Sequence, residues 1–302
     1  MSQNSSSPTI MQQLSVGNVV NVSLNLYRAN FKLYLKLSLF AYLWLLVPLY
    51  GWAKFLAISA LISRLAFCEL MGQPESVKDA NRYVRPRTLS FLLTAILLVI
   101  LLFAVLLISF ILTGLFLTTT HLEQVVAPLE IVSNERFVRN NILTAVFFLV
   151  LLVLVLLFFL ACLFIPTVWL YSRFFITELP LASENKVNLI TTIWRSWRLT
   201  KGYFWGIQAI LIIAMFLLLP MEILLYLFSV VINGVTSKVM AGLISSYPLA
   251  DSILGAMFSW GITLLNAVMI MPLFQLIKAV VYYNLRLRRE GLDLRLRDRY
   301  KL

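Results

Sequence analysis

Two ionisable residues within long apolar segments are the first candidates for chemistry in this sequence. Glu222 follows Pro220 in one such segment, and Lys54 lies in another. Ionisable groups inside membrane spans often mark transport pathways, so both residues could serve an ion or a polar substrate. They could instead pair with each other, and Glu222 could simply reach water. We take Glu222 and Lys54 as the candidate intramembrane polar residues.

A cluster of aromatic and basic side chains is the second candidate. We define the aromatic-basic cluster as Trp194, Arg195, Trp197, Arg198, Lys201, Tyr203 and Trp205. Basic pockets on the cytoplasmic side of membrane proteins bind anionic lipid headgroups, so the cluster could hold a specific lipid or a protein partner. The alternative is an ordinary belt of interfacial aromatic residues beside positive charges.

Two matching Arg/Glu pairs belong to an internal repeat. Five residues recur at a constant offset of 109, namely Ser63, Arg64, Glu69, Leu70 and Glu75, matched by Ser172, Arg173, Glu178, Leu179 and Glu184. The pairs Arg64/Glu69 and Arg173/Glu178 could be gates or substrate contacts. Interfacial salt bridges are the commoner explanation, although a separation of five residues is not ideal for pairing along one helix.

Recognisable enzyme motifs do not occur in the sequence. We find no paired carboxylates, no Ser/His/Asp set and no Gly-rich phosphate loop. Cys68 and Cys162 lie far apart, and His121 is the only histidine. We therefore predict no catalytic residue, no cofactor and no metal, and we interpret both cysteines as small apolar fillers within helices.

Composition places the chain in a membrane. Hydrophobic residues make up 61% of the 302 residues and charged residues only 13%, whereas soluble proteins average about half apolar and a quarter charged. Several apolar segments exceed the ~20 residues that cross a bilayer, and such segments must be helical because lipid offers no hydrogen-bond partner. The net charge of +12 lies in short segments between them, which indicates topology rather than nucleic-acid binding.

The sequence predicts an all-α integral membrane protein with six transmembrane helices. They form three hairpins, each preceded by a cytoplasmic interfacial amphipathic helix. The spans are predicted at 31–49, 52–71, 88–118, 141–171, 203–231 and 253–283. Interfacial helices are predicted at 15–30, 74–85 and 184–199, where polar residues follow one helical face. This membrane domain, 14–285, lies between a disordered tail, 1–13, and a basic cytoplasmic tail, 286–302.

The distribution of basic residues predicts the orientation. Nineteen Lys and Arg residues lie around the predicted interfacial helices and in the C-terminal tail, whereas the two long connectors on the other side carry three, Arg136, Arg139 and Lys238. Because basic connectors remain in the cytoplasm, both termini and all three interfacial helices are predicted to be cytoplasmic.

Three stretches of the sequence resemble a known family. They are Leu14-Ser15-Val16-Gly17 with Leu26-Tyr27-Arg28-Ala29-Asn30-Phe31, the segment 195–205 (RSWRLTKGYFW), and the segment 282–293 (YYNLRLRREGLD). From 14 to about 295 the chain resembles prokaryotic membrane proteins related to the glycerophosphoryl diester phosphodiesterase membrane domain. In those relatives a soluble phosphodiesterase domain follows the membrane part. The resemblance implies the membrane module without that enzyme, in a prokaryotic inner membrane or, where the source has one, a thylakoid membrane.

These observations favour a non-catalytic scaffold or accessory subunit of a membrane complex. Expected partners are membrane lipids, including anionic ones, and a membrane protein or a second copy of the chain, but no nucleic acid. A transporter or lipid-handling protein is the alternative, favoured by Glu222, Lys54, the repeat and the proline-interrupted spans. A membrane enzyme would need polar residues clustered at one depth, a pattern that the sequence does not show.

Overall fold

The computed structural model describes residues 14–119, 142–184, 187–243 and 248–291, and every regular element in these ranges is helical. The all-α prediction is therefore confirmed for the described part of the chain. The helices are α1 (Val16–Ala29), α2 (Phe31–Trp44), α3 (Tyr50–Leu70), α4 (Val77–Val84), α5 (Thr88–Thr119), α6 (Ile142–Phe174), α7 (Glu178–Ser183), α8 (Leu189–Thr200), α9 (Phe204–Leu243) and α10 (Pro248–Glu290).

Four stretches of the described residues are long and apolar enough to cross a membrane. They are Val77–Phe116, Leu149–Ser183, Phe204–Ile232 and Ala256–Glu290. This finding confirms a multi-pass membrane protein, but it does not confirm the predicted six crossings. The two spans of the first predicted hairpin, 31–49 and 52–71, are not among these four. α2 has only 14 residues, and α3 carries Lys54, Arg64 and Glu69 within its 21 residues.

Serine hydroxyls cap the first two interfacial helices. Ser15 caps α1 by accepting from the Asn18 N–H, and Ser76 caps α4 by accepting from the Asp79 N–H. The predicted interfacial helix at 74–85 therefore begins later, at Val77. The one predicted at 184–199 is also shorter, since α8 begins at Leu189 behind the cap residue Asn188.

The longest helices extend beyond their predicted bounds. α9 continues to Leu243 and α10 begins at Pro248, so both exceed the predicted spans 203–231 and 253–283. α10 also continues five residues into the predicted tail, where Arg286 pairs with Glu290 one turn later at 2.9 Å. The predicted tail 1–13, the rest of the C-terminal tail and most of the connector after α5 lie outside the described residues.

The chain divides into two compact units. One contains residues 95–173, with most of α5 and α6, and the other contains residues 1–94 and 174–302. Within the unit of 95–173, aromatic rings meet at Phe116 and Phe158, whose centroids are 5.2 Å apart. The outer surfaces of its helices are apolar, as expected of helices that face lipid.

The other unit has a core built around α3 and the second half of α10. Residues 57–67 of α3 are continuously buried, and most of 271–287 in α10 is buried too. Asn284 of α10 binds the backbone ahead of α1, because its Oδ1 accepts from the Leu14 N–H at 3.1 Å and its Nδ2 donates to the Leu14 carbonyl at 3.2 Å. The apolar side of α1, with Val19 and Val20, is buried in this core.

Candidate functional site

The aromatic-basic cluster lies at the end of α8 and the start of α9. At the start of α8, the Thr191 hydroxyl accepts from the Asn188 N–H at 2.7 Å and donates to the Asn188 carbonyl at 2.8 Å. Gly202 joins the two helices at φ +76, a left-handed conformation that favours glycine. Arg289 of α10 caps the end of α8 by donating to the carbonyls of Arg198 (2.9 Å) and Lys201.

α8 buries a face that the predicted stripe did not identify. Its inward residues are the hydroxylated Thr192, Ser196 and Thr200, together with Leu199. Short side chains allow a helix to approach its neighbours closely. Ile190 and Trp194 lie on the other side of α8 and face outwards.

The structure divides the aromatic-basic cluster into inward and outward members. Arg195 points into the protein, Trp197 packs on Phe174 with ring centroids 5.7 Å apart, and Tyr203 lies 5.2 Å from the Arg288 guanidinium. Trp194 and Trp205 point outwards with exposed fractions of 68% and 80%. Arg198 and Lys201 are exposed as well. The seven residues therefore do not form one continuous site.

Arg195 belongs to a neutral network of two arginines and two glutamates. It contacts Glu184 at 2.5 Å and Glu290 at 2.9 Å, and Glu290 also pairs with Arg286 at 2.9 Å. The Tyr282 hydroxyl donates to Glu184 at 2.5 Å. Burial alone would lower the pKa of Arg195, but the hydrogen bond and charge of Glu184 outweigh it and raise the pKa above its ordinary value.

A second cluster forms around Arg64 of α3. The Arg64 guanidinium makes a bidentate pair with Glu75, with Nε–Oε2 and Nη2–Oε1 distances of 2.8 and 2.7 Å. Its Nη1 donates to the Ala182 carbonyl at 2.6 Å. The ring of Tyr83 lies against both Arg64 and Arg87, at 3.8 and 4.2 Å from the two guanidinium carbons.

The two arginines of this cluster hold the short helix α7. Helix ends leave carbonyls without intrahelical partners. Arg64 donates to the Ala182 carbonyl, and Arg87 donates to the carbonyls of Leu181 and Glu184 at 2.8 and 2.7 Å. Side chains from two other segments therefore fix a helix of only six residues.

The internal repeat places equivalent acids in equivalent roles. Glu75 and Glu184 correspond at the offset of 109, and each binds an arginine eleven residues away. The direction differs, because Arg64 precedes Glu75 whereas Arg195 follows Glu184. The position equivalent to Arg195 in the first copy is Pro86, which cannot supply a charge.

The predicted Arg64/Glu69 pair is wrong in its partners. Glu69 accepts from the Asn30 amide at 3.4 Å while Arg64 binds Glu75. Glu178 accepts from Lys278 of α10 at 2.8 Å. Five residues of α-helix turn a side chain by ~140° from the starting direction, so Arg64 and Glu69 point to different neighbours.

The candidate intramembrane residues have separate partners. Asn266 Nδ2 donates to Glu222 Oε2 at 2.7 Å, and the Lys54 ammonium lies 5.5 Å from the centre of the Tyr50 ring. Of the alternatives left open by the sequence, a Glu222–Lys54 pair is therefore not the one observed. Glu222 lines a groove of ≈ 590 Å³ whose other walls are apolar side chains of α9 and α10.

A smaller pocket lies beside α8. Its volume is ≈ 450 Å³, and its polar lining consists of Glu184, Thr191, Arg195 and Arg198, with Trp194 at its edge. Glu184 and Arg195 neutralise each other. Arg198 has no acidic partner among the described residues, so it supplies the uncompensated positive charge of this pocket.

Removing the Tyr282 hydroxyl tests the network around Glu184. We expect Tyr282→Phe to lower the free energy of unfolding by about 1.5 kcal/mol, because the partly buried Glu184 carboxylate loses a donor while the ring stays in place. The thermal unfolding midpoint in detergent measures this loss. Tyr226→Phe, on an exposed ring, is the matched control and should leave the midpoint unchanged. Equal midpoints for the two variants would contradict the role assigned to the hydroxyl.

Comparison with known proteins does not assign a family. No protein-family model matches this sequence, and neither curated proteins nor solved structures give a match. The resemblance to the phosphodiesterase-associated membrane domain therefore stays a prediction. Among the described residues, no group of three or more His, Cys, Asp or Glu side chains could hold a metal ion.

Sequence reasoning missed most of the residues that form the two ionic clusters. Glu75 and Glu184 were visible only as members of the repeat, and the offset of 109 was the signal that could have identified them. Tyr282 and Glu290 gave no such signal. They meet α7 and α8 only because α10 folds back along residues nearly 100 positions earlier in the chain.

Proposed function

We propose that the protein is a non-catalytic scaffold or accessory subunit of a membrane complex. One observation carries the proposal: every acidic residue whose side chain is described accepts a hydrogen bond from another residue of the protein. These residues are Glu69, Glu75, Asp79, Glu178, Glu184, Glu222 and Glu290. Apart from Asp79, whose partner Ser76 caps the same helix, these groups join separate segments of the chain, which is the use expected in a structural protein.

The surface beside α8 is the proposed contact for a partner. Ile190, Trp194 and Trp205 present apolar and aromatic surface next to the exposed positive charge of Arg198. Tryptophan is favoured where one side of a contact is apolar and the other is wet, and it is frequent at the centres of protein interfaces. A membrane protein, a second copy of this chain or an anionic lipid would fit this surface.

The proposed setting is a prokaryotic inner membrane, or a thylakoid membrane, with both termini in the cytoplasm. The excess of basic residues around α1, α4 and α8 supports this orientation. An even number of crossings leaves both termini on the same side of the membrane. Both the four candidate spans and the six predicted ones are compatible with this orientation.

Purification with surrounding lipid tests the scaffold role. In polymer-bounded membrane particles, the wild-type chain should retain a protein partner, a second copy or a specific lipid, so that native mass spectrometry reports more than the 34.5 kDa of one chain. The double variant Trp194→Ala/Trp205→Ala should lose that extra mass. Trp260→Ala is the matched control, since this α10 tryptophan is 74% exposed and lies outside the surface. A wild-type chain that purifies alone and without bound lipid would refute the proposal.

Lipid handling is the second candidate function, and the groove at Glu222 favours it. A carboxylate with an amide partner at the side of an otherwise apolar groove suits a lipid whose chain fills the groove and whose polar group meets Glu222 and Asn266. Mass spectrometry of retained lipids distinguishes the two functions. Loss of one lipid class from Glu222→Gln, with protein partners retained, would favour lipid handling, whereas an unchanged lipid profile would count against it.

A further inference from the structure

The hairpin of α2 and α3 is too short for a complete crossing in its first limb. α2 has 14 residues, which is about 21 Å of helix against a hydrocarbon thickness of about 30 Å. At its base, Asn30 binds Glu69 at 3.4 Å. Lys32 and Lys36 also lie near the base, and no charged residue follows until Lys54 in α3.

Most backbone N–H groups of the turn at the tip of the hairpin are satisfied within the turn, the Leu49 N–H excepted. The N–H groups of Leu45, Leu46, Val47, Tyr50 and Gly51 donate to the carbonyls of Tyr42, Leu43, Trp44, Pro48 and Val47 at 2.7–3.4 Å. Pro48 has no N–H to satisfy. In hydrocarbon an unpaired backbone group costs several kcal/mol, so a turn that pairs most of its own N–H groups suits that environment better than an open loop.

The outward side chains of the turn are apolar. Leu46 is 80% exposed and Leu49 is 66% exposed, and the intervening residues are Val47 and Pro48. Loops that face water are normally rich in polar and charged residues. The tip therefore presents a surface that fits lipid chains better than water.

The neighbouring helix extends much further than the hairpin. Ser38 of α2 donates to the Met271 sulfur of α10 at 3.2 Å. From this contact α10 continues to Pro248, about 34 Å of helix, whereas α2 ends at Trp44, about 9 Å beyond Ser38. α10 is therefore much longer than a bilayer crossing requires, whereas α2 is shorter than one.

We propose that the α2–α3 hairpin is re-entrant. It inserts its apolar turn into the hydrocarbon of the cytoplasmic leaflet and returns to the cytoplasmic side. The chain then crosses the membrane four times, through α5, α6, α9 and α10. This inference uses the orientation proposed above, but it does not depend on the scaffold role.

Cysteine labelling separates a re-entrant hairpin from a complete crossing. A single Leu46→Cys substitution is made in a Cys68→Ala/Cys162→Ala background, and intact cells and inside-out vesicles are treated with a membrane-impermeant maleimide. Glu130→Cys and Asn81→Cys report the outer and cytoplasmic sides. We expect Leu46→Cys to remain unlabelled from both sides of the membrane and to be fully labelled after denaturation in SDS.

Depth-dependent quenching gives the second measurement. A bimane attached at Leu46→Cys should be quenched more by a nitroxide near the end of the lipid chain than by one near the headgroup. Labelling from outside would overturn the proposal in favour of a complete crossing, with Trp44, Tyr50 and Trp52 at the outer interface. Labelling from the cytoplasm, or stronger quenching by the shallow nitroxide, would overturn it by placing the tip outside the hydrocarbon. If the Leu46→Cys chain does not accumulate, Leu49→Cys carries the same label.

Discussion

Arg64→Ala is expected to lower the free energy of unfolding by about 3 kcal/mol, because it leaves the partly buried Glu75 carboxylate without its bidentate partner. The same substitution removes the donor to the Ala182 carbonyl and one of the two cations that lie on Tyr83. A loss of this size should shift the thermal unfolding midpoint in detergent by roughly 5–10 °C.

Two other variants make this result specific. Arg82→Ala removes an exposed arginine from α4 and should leave the midpoint unchanged. Arg64→Lys keeps the charge but cannot make the bidentate pair, so its midpoint should lie between those of wild type and Arg64→Ala. An Arg64→Ala midpoint equal to that of Arg82→Ala would show that the cluster does not stabilise the fold.

Gly51→Ala is expected to destabilise the α2–α3 hairpin by about 3 kcal/mol, because a side chain has no room at this position. A Cβ at Gly51 would lie 1.8 Å from the Trp44 carbonyl oxygen and 2.9 Å from the carbonyl carbon. Both atoms are backbone, so the end of α2 would have to move away from α3. The measurement is again the thermal unfolding midpoint.

Glycines with open surroundings are the matched controls for Gly51. A Cβ at Gly17 or at Gly114 would meet no atom within 4 Å. Alanine is preferred over glycine inside a helix by up to about 1 kcal/mol, so Gly17→Ala and Gly114→Ala should be neutral or stabilising. If Gly51→Ala behaves like these two, then the close approach of α2 and α3 at the tip is not a constraint on the fold.

The helices could be predicted from the sequence. A long apolar segment in lipid must be helical, because its backbone groups have no other hydrogen-bond partners, and the shorter helices are indicated by polar residues spaced along one face. What surrounds each helix could not be predicted. The apolar run of α10 near Ile277 is enclosed by protein, whereas the run near Val150 in α6 has an exposed apolar surface. Since lipid chains are as apolar as leucine, hydropathy alone does not distinguish these two surroundings.

The ionic clusters depended on information that the sequence pattern does not carry. Glu184 receives Arg195 from the next helix and Tyr282 from a helix almost 100 residues later. The inward face of α8 was missed because threonine and serine, such as Thr192 and Ser196, can serve as a polar surface or as a small packing surface. The end of α2 was missed because Trp44 to Leu49 is as apolar as the helix before it.

The contact between Leu14 and Asn284 has a consequence for the order of assembly during translation. The two residues are 270 positions apart, and Arg288 completes the contact by donating to the same Leu14 carbonyl at 3.0 Å. At ~5–20 residues per second, the ribosome takes roughly 15–55 s to make the intervening chain. Until then α1 has no partner in α10. α1 is therefore made long before the part of α10 that it contacts in the folded protein.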